Sequence, residues 1–508
     1  MTDFTMQKDA DGVAVITWDV PGKSMNVLSL DGASELNALI DDALGDEAVK
    51  GIVITSGKKD FAAGMDLNVI AGMKQGGAQA VFDGIMSLHH VLRKIERAGM
   101  DPKTLKGGKP IATALPGTAL GIGLELPLAT HRIFAADNPK AKIGLPEIMV
   151  GIFPGGGGTI RLSRKLGAMA AAPFLLEGKL SDPKKAKAAG LIDEVVADPV
   201  VAAREWVLNA KDADLVKPWD QKGYKMPGGE PYHPAGFMTF VGASAMVNGK
   251  TMGVYPAAKA LLSAVYEGAQ VPFDTALKIE ARWFTNVLMN PSSTAMIRSL
   301  FINKEALEKG ANRPEAPDQS VRKVGILGAG MMGAGIAYVS AMAGIQVVLI
   351  DAKQEAADKG KSYSEGLLDK AIARRKSTEE KKAEVLARIT PATDHAALAG
   401  CDLIVEAVFE DPGVKAEVTR SVLGHVGPET IFATNTSTLP ISDLARASAR
   451  PEQFIGIHFF SPVDKMNLVE IIKGQQTGPR AVAKALDFVR QIRKTPIVVN
   501  DARFFYAN

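Results

Sequence analysis

The run Gly328–Gly333, Gly-Ala-Gly-Met-Met-Gly, constrains this chain more than any other segment. It follows an apolar β-branched run at 322–327 and opens the small-residue stretch 333–344, which reads as a helix. In a strand–turn–helix setting each glycine has a task. Gly328 permits a tight turn, Gly330 lets a pyrophosphate approach the backbone, and Gly333 lets the helix pack closely on the strand. The free N–H groups and dipole at the helix start favour an anion. Asp351 ends the next strand-like run, 346–351, where a ribose hydroxyl would be bound. No arginine follows it directly, which favours NAD over NADP, although Lys353 stands close by. Further β-branched runs at 402–407, 430–435 and 454–459 alternate with helical stretches, which predicts a parallel sheet with crossover helices.

The rest of the chain is too long for one such domain. Its 508 residues allow roughly three domains. Before residue 195, strands are expected at 13–18, 51–56, 111–115 and 132–136, and an amphipathic helix at 81–99. Residues 219–237 read as loop, 256–290 and 292–309 as helical, and 310–320 as a polar linker. The expected organisation is 1–195, a helical extension and linker at 196–320, a dinucleotide domain at 321–500, and 501–508 as the start of a further domain. The fold class is α/β.

Charge and cysteine use exclude several classes. With 59 basic against 56 acidic residues and 46% hydrophobic content, the chain is neither disordered nor a dedicated nucleic-acid binder. A lone Cys401 excludes an internal disulfide and fits a reducing, cytoplasmic setting. The start is polar and carries acids, unlike a secretory signal. The window 111–130 is long enough to span a bilayer, but Pro116, Pro127, three glycines and Glu125 favour a buried strand, turn and helix.

Two groups of residues could carry chemistry. Glu125 and Glu147 each stand beside a glycine-rich turn, at 116–129 and 144–162. Backbone N–H groups at such turns could hold a thioester enolate while two carboxylates handle water and a proton. On pattern alone, a helix-start charge and an unrelated loop acid are the favoured reading of the two. His458 closes the run 454–458, and Glu470 follows within Leu-Val-Glu-Ile-Ile. A histidine oriented by a carboxylate can take an alcohol proton, yet spacing does not show that the two meet. The adjacent His89 and His90 point in different directions on a helix and read as exposed or partly buried structural residues. No metal site is expected.

Resemblance sharpens these readings. The segments GAGMMGAGIA, VEAVFED, NTSTLPI, HFFSPVDKMNLVEII and DARFFYAN resemble, in order and spacing, the NAD-binding domain of 3-hydroxyacyl-CoA dehydrogenases. The resemblance implies a Rossmann-type domain with His458 as general base and Glu470 as its partner. It implies Ser437 on the substrate hydroxyl or nicotinamide side, and Asn508 as a substrate asparagine. Gly328, Gly330, Met332, Gly333, Asp351, Val408, Glu410, Lys415 and Ser461 would lie on the NAD side, with Glu410 and Lys415 at the ribose. Ser461 stands where many members have asparagine.

Similarly, DFAAGMDL, PGTALGIGLELPLA and GLPEIMVGIFPGGGGTIRL resemble the enoyl-CoA hydratase/isomerase, or crotonase, family over roughly residues 10–195. This implies oxyanion-hole N–H groups at Met65 and Ile122, with Glu125 and Glu147 as the hydratase pair. Ile122 occupies a position usually held by glycine, so its side chain is expected to narrow the site. Retention of both glutamates favours hydratase, with isomerase as a side activity.

The two likenesses imply consecutive steps: hydration of a trans-2-enoyl-CoA, then NAD-dependent oxidation of the 3-hydroxyacyl-CoA. The whole chain is similar to the multifunctional alpha subunits of fatty acid β-oxidation complexes. That family implies acyl-CoA thioester substrates, a thiolase beta subunit as partner, and an oligomer for the full-length protein. Its members continue past Asn508 into a helical domain, so the chain reads as truncated, with hydration expected to persist and oxidation to be impaired. An enoyl-CoA isomerase, or a non-catalytic CoA-ester and NAD-binding scaffold for a thiolase, are the alternatives.

Overall fold

The apolar runs of the first half become a six-stranded sheet: β1 (Phe4–Lys8), β2 (Val13–Trp18), β3 (Gly51–Ser56), β4 (Ile111–Leu115), β6 (Arg132–Ala136) and β8 (Glu194–Val196), in that spatial order. Only β1 is antiparallel to its neighbour. β5 (Ala119–Leu120) and β7 (Ile143–Gly144) form a separate parallel pair. Every residue of β4 is buried, as expected of a parallel strand covered on both faces. The four expected strands all form. The window 111–130 becomes β4, β5 and the buried helix Ile122–Ala129. The structure is a computed structural model that describes residues 2–507, with Ala71 as backbone only.

The second sheet has eight strands: β9 (Lys323–Leu327), β10 (Gln346–Ile350), β11 (Ile389–Ala392), β12 (Leu403–Glu406), β13 (Ile431–Thr434), β14 (Phe454–Phe459), β15 (Leu468–Lys473) and β16 (Thr495–Asn500). Their spatial order is β11-β10-β9-β12-β13-β14-β15-β16. Strand order reverses between β9 and β12, the position where open α/β sheets bind ligands beyond their strand ends. The sheet is parallel except at β14–β15. That exception corrects the all-parallel expectation. Residues 460–467 between these strands are fewer than the dozen or so that a parallel crossover needs.

The span 256–290 is helical as expected, as two helices, Pro256–Gly268 and Phe273–Met289, with Pro272 at the N-cap of the second. One further expectation is corrected. The helix Pro234–Thr251 starts inside the segment read as loop, with Pro234 in its first turn and the His233 side chain accepting from Ala235 N–H.

The chain divides into two compact units, Met1–Ile302 and Asn303–Asn508. The polar linker therefore falls with the second unit, and side chains there explain why. Arg313 bonds both oxygens of Asp487, at 2.8 and 2.7 Å, and Gln491 pairs with the N–H and C=O of Val321. Among the described residues no helix is long and apolar enough to cross a membrane.

Candidate active sites

In the first unit two glycine turns come together. Gly121 has φ +56°, a conformation that L side chains rarely adopt, and starts the helix Ile122–Ala129. A Cβ at Gly121 would lie 3.4 Å from Gly64 Cα and 2.8 Å from Glu147 Oε1. The residues following these two turns are Met65 and Ile122. Neither of their N–H groups donates to a protein acceptor among the described residues. The Ile122 side chain is buried, and its Cδ1 would be 2.9 Å from a Cβ at Gly156, so it packs beside the glycine loop. Asp66, next to Met65, caps the following helix and pairs with Lys23.

Glu125 reaches the same place from the buried side. Its Oε1 accepts N–H bonds from Gly156 (2.8 Å) and Gly158 (2.9 Å), at the start of the helix Gly158–Leu166. Burial, reinforced by the charges of Glu147 and Glu280, holds this carboxyl well above its ordinary value. Glu147 opens a short 3-10 turn. Burial, with the Glu280 charge in addition, pushes it up to about 7 against the pull of its own N–H. Its Oε2 is buried and has no partner among the described residues. The two glutamates read from sequence thus belong to one cluster, beside two available N–H donors.

Sequence reasoning missed Glu280 and the role of His89. Glu280 is fully buried on the helix Phe273–Met289 and accepts from Gly157 N–H (2.5 Å) and Ile160 N–H (2.9 Å). His89 is 1% exposed rather than partly buried, and donates from Nε2 to Gly155 C=O at 2.7 Å. The spacing of His89, Arg93 and Glu96 along one helical face was the available signal. All three are buried, and Arg93 bonds Glu96. His90 points to solvent.

In the second unit the glycine turn lies at the strand-order reversal. A Cβ on Gly328 (φ +91°) would be 2.6 Å from Ala407 C=O and 3.2 Å from Val408 N, so the ends of β9 and β12 nearly touch. Gly330 has open space where a Cβ would stand. The helix Met331–Met342 makes its first ladder bond from Ala334 to Gly330, so the N–H groups of Met331, Met332 and Gly333 precede that ladder. Asp351 is braced by N–H bonds from Ala329 and Ala352, each 2.8 Å. Open backbone donors beside a fixed acid fit a dinucleotide. Met332 is half-buried against the core. Met331 is exposed, and Ser461 Oγ donates to its sulfur.

Gly333 supplies a test. A Cβ there would fall 1.8 Å from Gly328 C=O. Gly333→Ala should cost about 1–3 kcal/mol or more of second-unit stability and eliminate NADH binding, read by denaturant unfolding and fluorescence titration. Unchanged NADH affinity would show that the close approach is not needed.

His458 and Glu470 lie directly opposite in the antiparallel β14–β15 register. Facing residues of such a pair share one side of the sheet, and His458 Nδ1 donates to Glu470 Oε2 at 2.7 Å. Nε2 is thereby left as the basic nitrogen. The other Glu470 oxygen accepts N–H bonds from Tyr506 (3.1 Å) and Ala507 (2.9 Å). Asn435, which sequence reasoning missed, fixes the next residue: its Oδ1 accepts Phe459 N–H at 2.8 Å.

The Lys415 ammonium is buried between Glu406 (2.8 Å) and Glu410 (3.1 Å). Burial alone would raise the Glu410 carboxyl, but the Thr436 hydroxyl and Lys415 hold it below its ordinary value. Glu410 also accepts the N–H of Ser437 at 2.9 Å, which anchors that loop. Asn508 lies outside the described residues.

Comparison with known proteins divides the chain into two matching regions. Residues 8–214 match the enoyl-CoA hydratase/isomerase family, and residues 323–502 the NAD-binding domain of 3-hydroxyacyl-CoA dehydrogenases. The fatty acid oxidation complex alpha subunit of Shewanella amazonensis is 36% identical over 99% of this chain and 70% of its own length. The alpha subunit of Shewanella frigidimarina gives the same values. The (S)-3-hydroxybutyryl-CoA dehydrogenase structure from Ralstonia eutropha is 41% identical, covering 37% of this chain and 67% of that one, at a TM-score of 0.36. A hydratase/isomerase region followed by an NAD-binding dehydrogenase region, with identity along nearly the whole length, makes this chain a member of the fatty acid oxidation complex alpha-subunit family.

Proposed function

We propose that Glu125 and Glu147 carry out hydration of trans-2-enoyl-CoA thioesters. The observation that supports this best is the carboxyls of buried Glu125 and half-buried Glu147 beside the available N–H groups of Met65 and Ile122. One ionised carboxylate of the pair takes a proton from water as the water oxygen bonds to C3. The C2–C3 π electrons move into the thioester, whose oxygen gathers negative charge opposite the two N–H groups. The other carboxyl, still protonated, then delivers its proton to C2. The pair works with one proton between them, so its titration belongs to both residues.

The product, a 3-hydroxyacyl-CoA, is the substrate of the second site. There Gly328, Gly330, Gly333 and Asp351 would hold NAD, which when bound accepts a hydride from the hydroxyl-bearing carbon. His458 Nε2 takes the hydroxyl proton, and Glu470 stabilises the resulting imidazolium through Nδ1. Glu410 and Lys415 keep the Thr436–Ser437 loop in place. A thiolase beta subunit as partner, and a cytoplasmic setting, complete the reading.

Incubation with crotonyl-CoA tests the first step. Loss of the conjugated thioester, with 3-hydroxybutyryl-CoA as product, is expected. An isomerase would instead shift the double bond of a 3-enoyl-CoA and leave crotonyl-CoA intact, and a scaffold would bind it unchanged. Copurification of a thiolase with the tagged chain tests the partner.

A further inference from the structure

The N–H groups that open the helix Gly158–Leu166 are shared out alternately between two acids. Gly156 and Gly158 donate to Glu125, while Gly157 and Ile160 donate to Glu280. The carbonyl side of the same loop is held as well, by His89 Nε2 on Gly155 and Arg161 Nη1 on Gly156. Arg161 is neutralised at its other end by Glu96, with contacts of 3.1 Å. Glu280 belongs to the helix Phe273–Met289, outside the residues 8–214 that match the hydratase family.

We infer that Glu280 is a positioning residue of the hydratase site: by claiming Gly157 and Ile160, it fixes which N–H groups remain for Glu125. The inference rests on the hydratase reading of Glu125 and Glu147. A helix start offers only a few unpaired N–H groups. With two of them taken from the Glu280 side, Glu125 Oε1 is confined to Gly156 and Gly158. Its Oε2 then lies within 2.8 Å of where a Gly156 Cβ would stand. Without Glu280 the loop loses its hold on one side, and Glu125 can shift to the vacated donors. The charged and titratable groups around Glu280 are His89, Glu125, Glu147 and Arg161 with its partner Glu96. Glu280 therefore also contributes a negative charge that disfavours ionisation of the catalytic pair.

Two substitutions in the full chain separate position from charge. Glu280→Gln keeps the shape but turns an amide NH2 towards one of the two N–H donors. It should lower kcat for crotonyl-CoA hydration by roughly ten- to a hundredfold with KM little changed. It should also move the Glu147 titration to lower pH, followed by NMR with 13C-labelled glutamate carboxyls. Glu280→Asp keeps the charge but falls short of the donors, so it should lower kcat while leaving that titration near pH 7. Denaturant unfolding of the first unit, to which Glu280 belongs, controls for folding. Unchanged kcat in Glu280→Gln, or a fall that appears only in KM, would overturn the inference. An unaltered chain without hydratase turnover would instead overturn the Glu125/Glu147 reading. The carboxyl titration still tests Glu280 in that case: an unmoved curve in Glu280→Gln counts against it.

Discussion

Glu147→Gln should lower crotonyl-CoA hydration by about 100-fold or more, the loss expected when a positioned acid or base is removed. Glutamine fills the same space and leaves the N–H groups of Met65 and Ile122 untouched, so KM should hold while kcat falls. The pH profile gives the same residue a second signature. Glu147 is raised to about 7, so below that pH both carboxyls carry protons and none can accept one from water. Hydration should therefore decline on the acid side of pH 7 in the unaltered chain, and this limb should vanish in Glu147→Gln. Stability runs the opposite way. A carboxyl raised from 4.5 to about 7 by folding favours the folded state below 4.5, and that contribution is lost as pH rises through 7. Glu147→Gln should then gain stability relative to the parent on going from pH 5 to pH 8. Retained hydration in this variant would remove Glu147 from the chemistry.

His458→Gln should lower oxidation of 3-hydroxybutyryl-CoA, and the reverse reduction of acetoacetyl-CoA, by about 100- to 10,000-fold. NADH affinity should not change, because the glycine turn and Asp351 are held by their own backbone bonds. Glutamine preserves a hydrogen bond to Glu470 but offers no basic nitrogen. The ratio of variant to parent rates in one assay is the quantity to measure. Equal rates would show that the base lies elsewhere, whereas a parallel loss of NADH binding would show a packing defect.

The sequence made some of this legible for identifiable reasons. The strands 13–18, 51–56 and 454–459 announce themselves because strands inside a largely parallel sheet are mostly apolar runs. The Gly328–Gly333 turn is legible because its two ends, Gly328 and Gly333, leave no room for a Cβ. Strand β1 is harder to see: Phe4 is its only buried residue, and Thr5, Gln7 and Lys8 are exposed. The helix Pro234–Thr251 shows no apolar stripe, since Phe237, Met238 and Val241 face solvent while Phe240 and Val247 are buried. Glu280, Glu406 and Asn435 were missed for another reason. Each serves a backbone group or side chain on a distant segment, and no local pattern encodes such a partner. Glu406, for instance, takes the Thr434 hydroxyl and the Lys415 ammonium from two separate elements.

The β14–β15 register has an evolutionary consequence. His458 and Glu470 stand twelve residues apart, but that interval is incidental. The pair is joined across strands, so the number of residues between its members does not by itself decide whether they meet, provided the register holds. Within the strands the rule reverses. Side chains alternate faces, so a one-residue deletion inside β14 or β15 would send one partner to the wrong side of the sheet. The connecting loop is thus held by its own contacts, Ser461 on Met331 and Lys494 on the Val463 and Met466 carbonyls, and not by the pair, while the strands that carry the pair can change by substitution but not by single insertions or deletions.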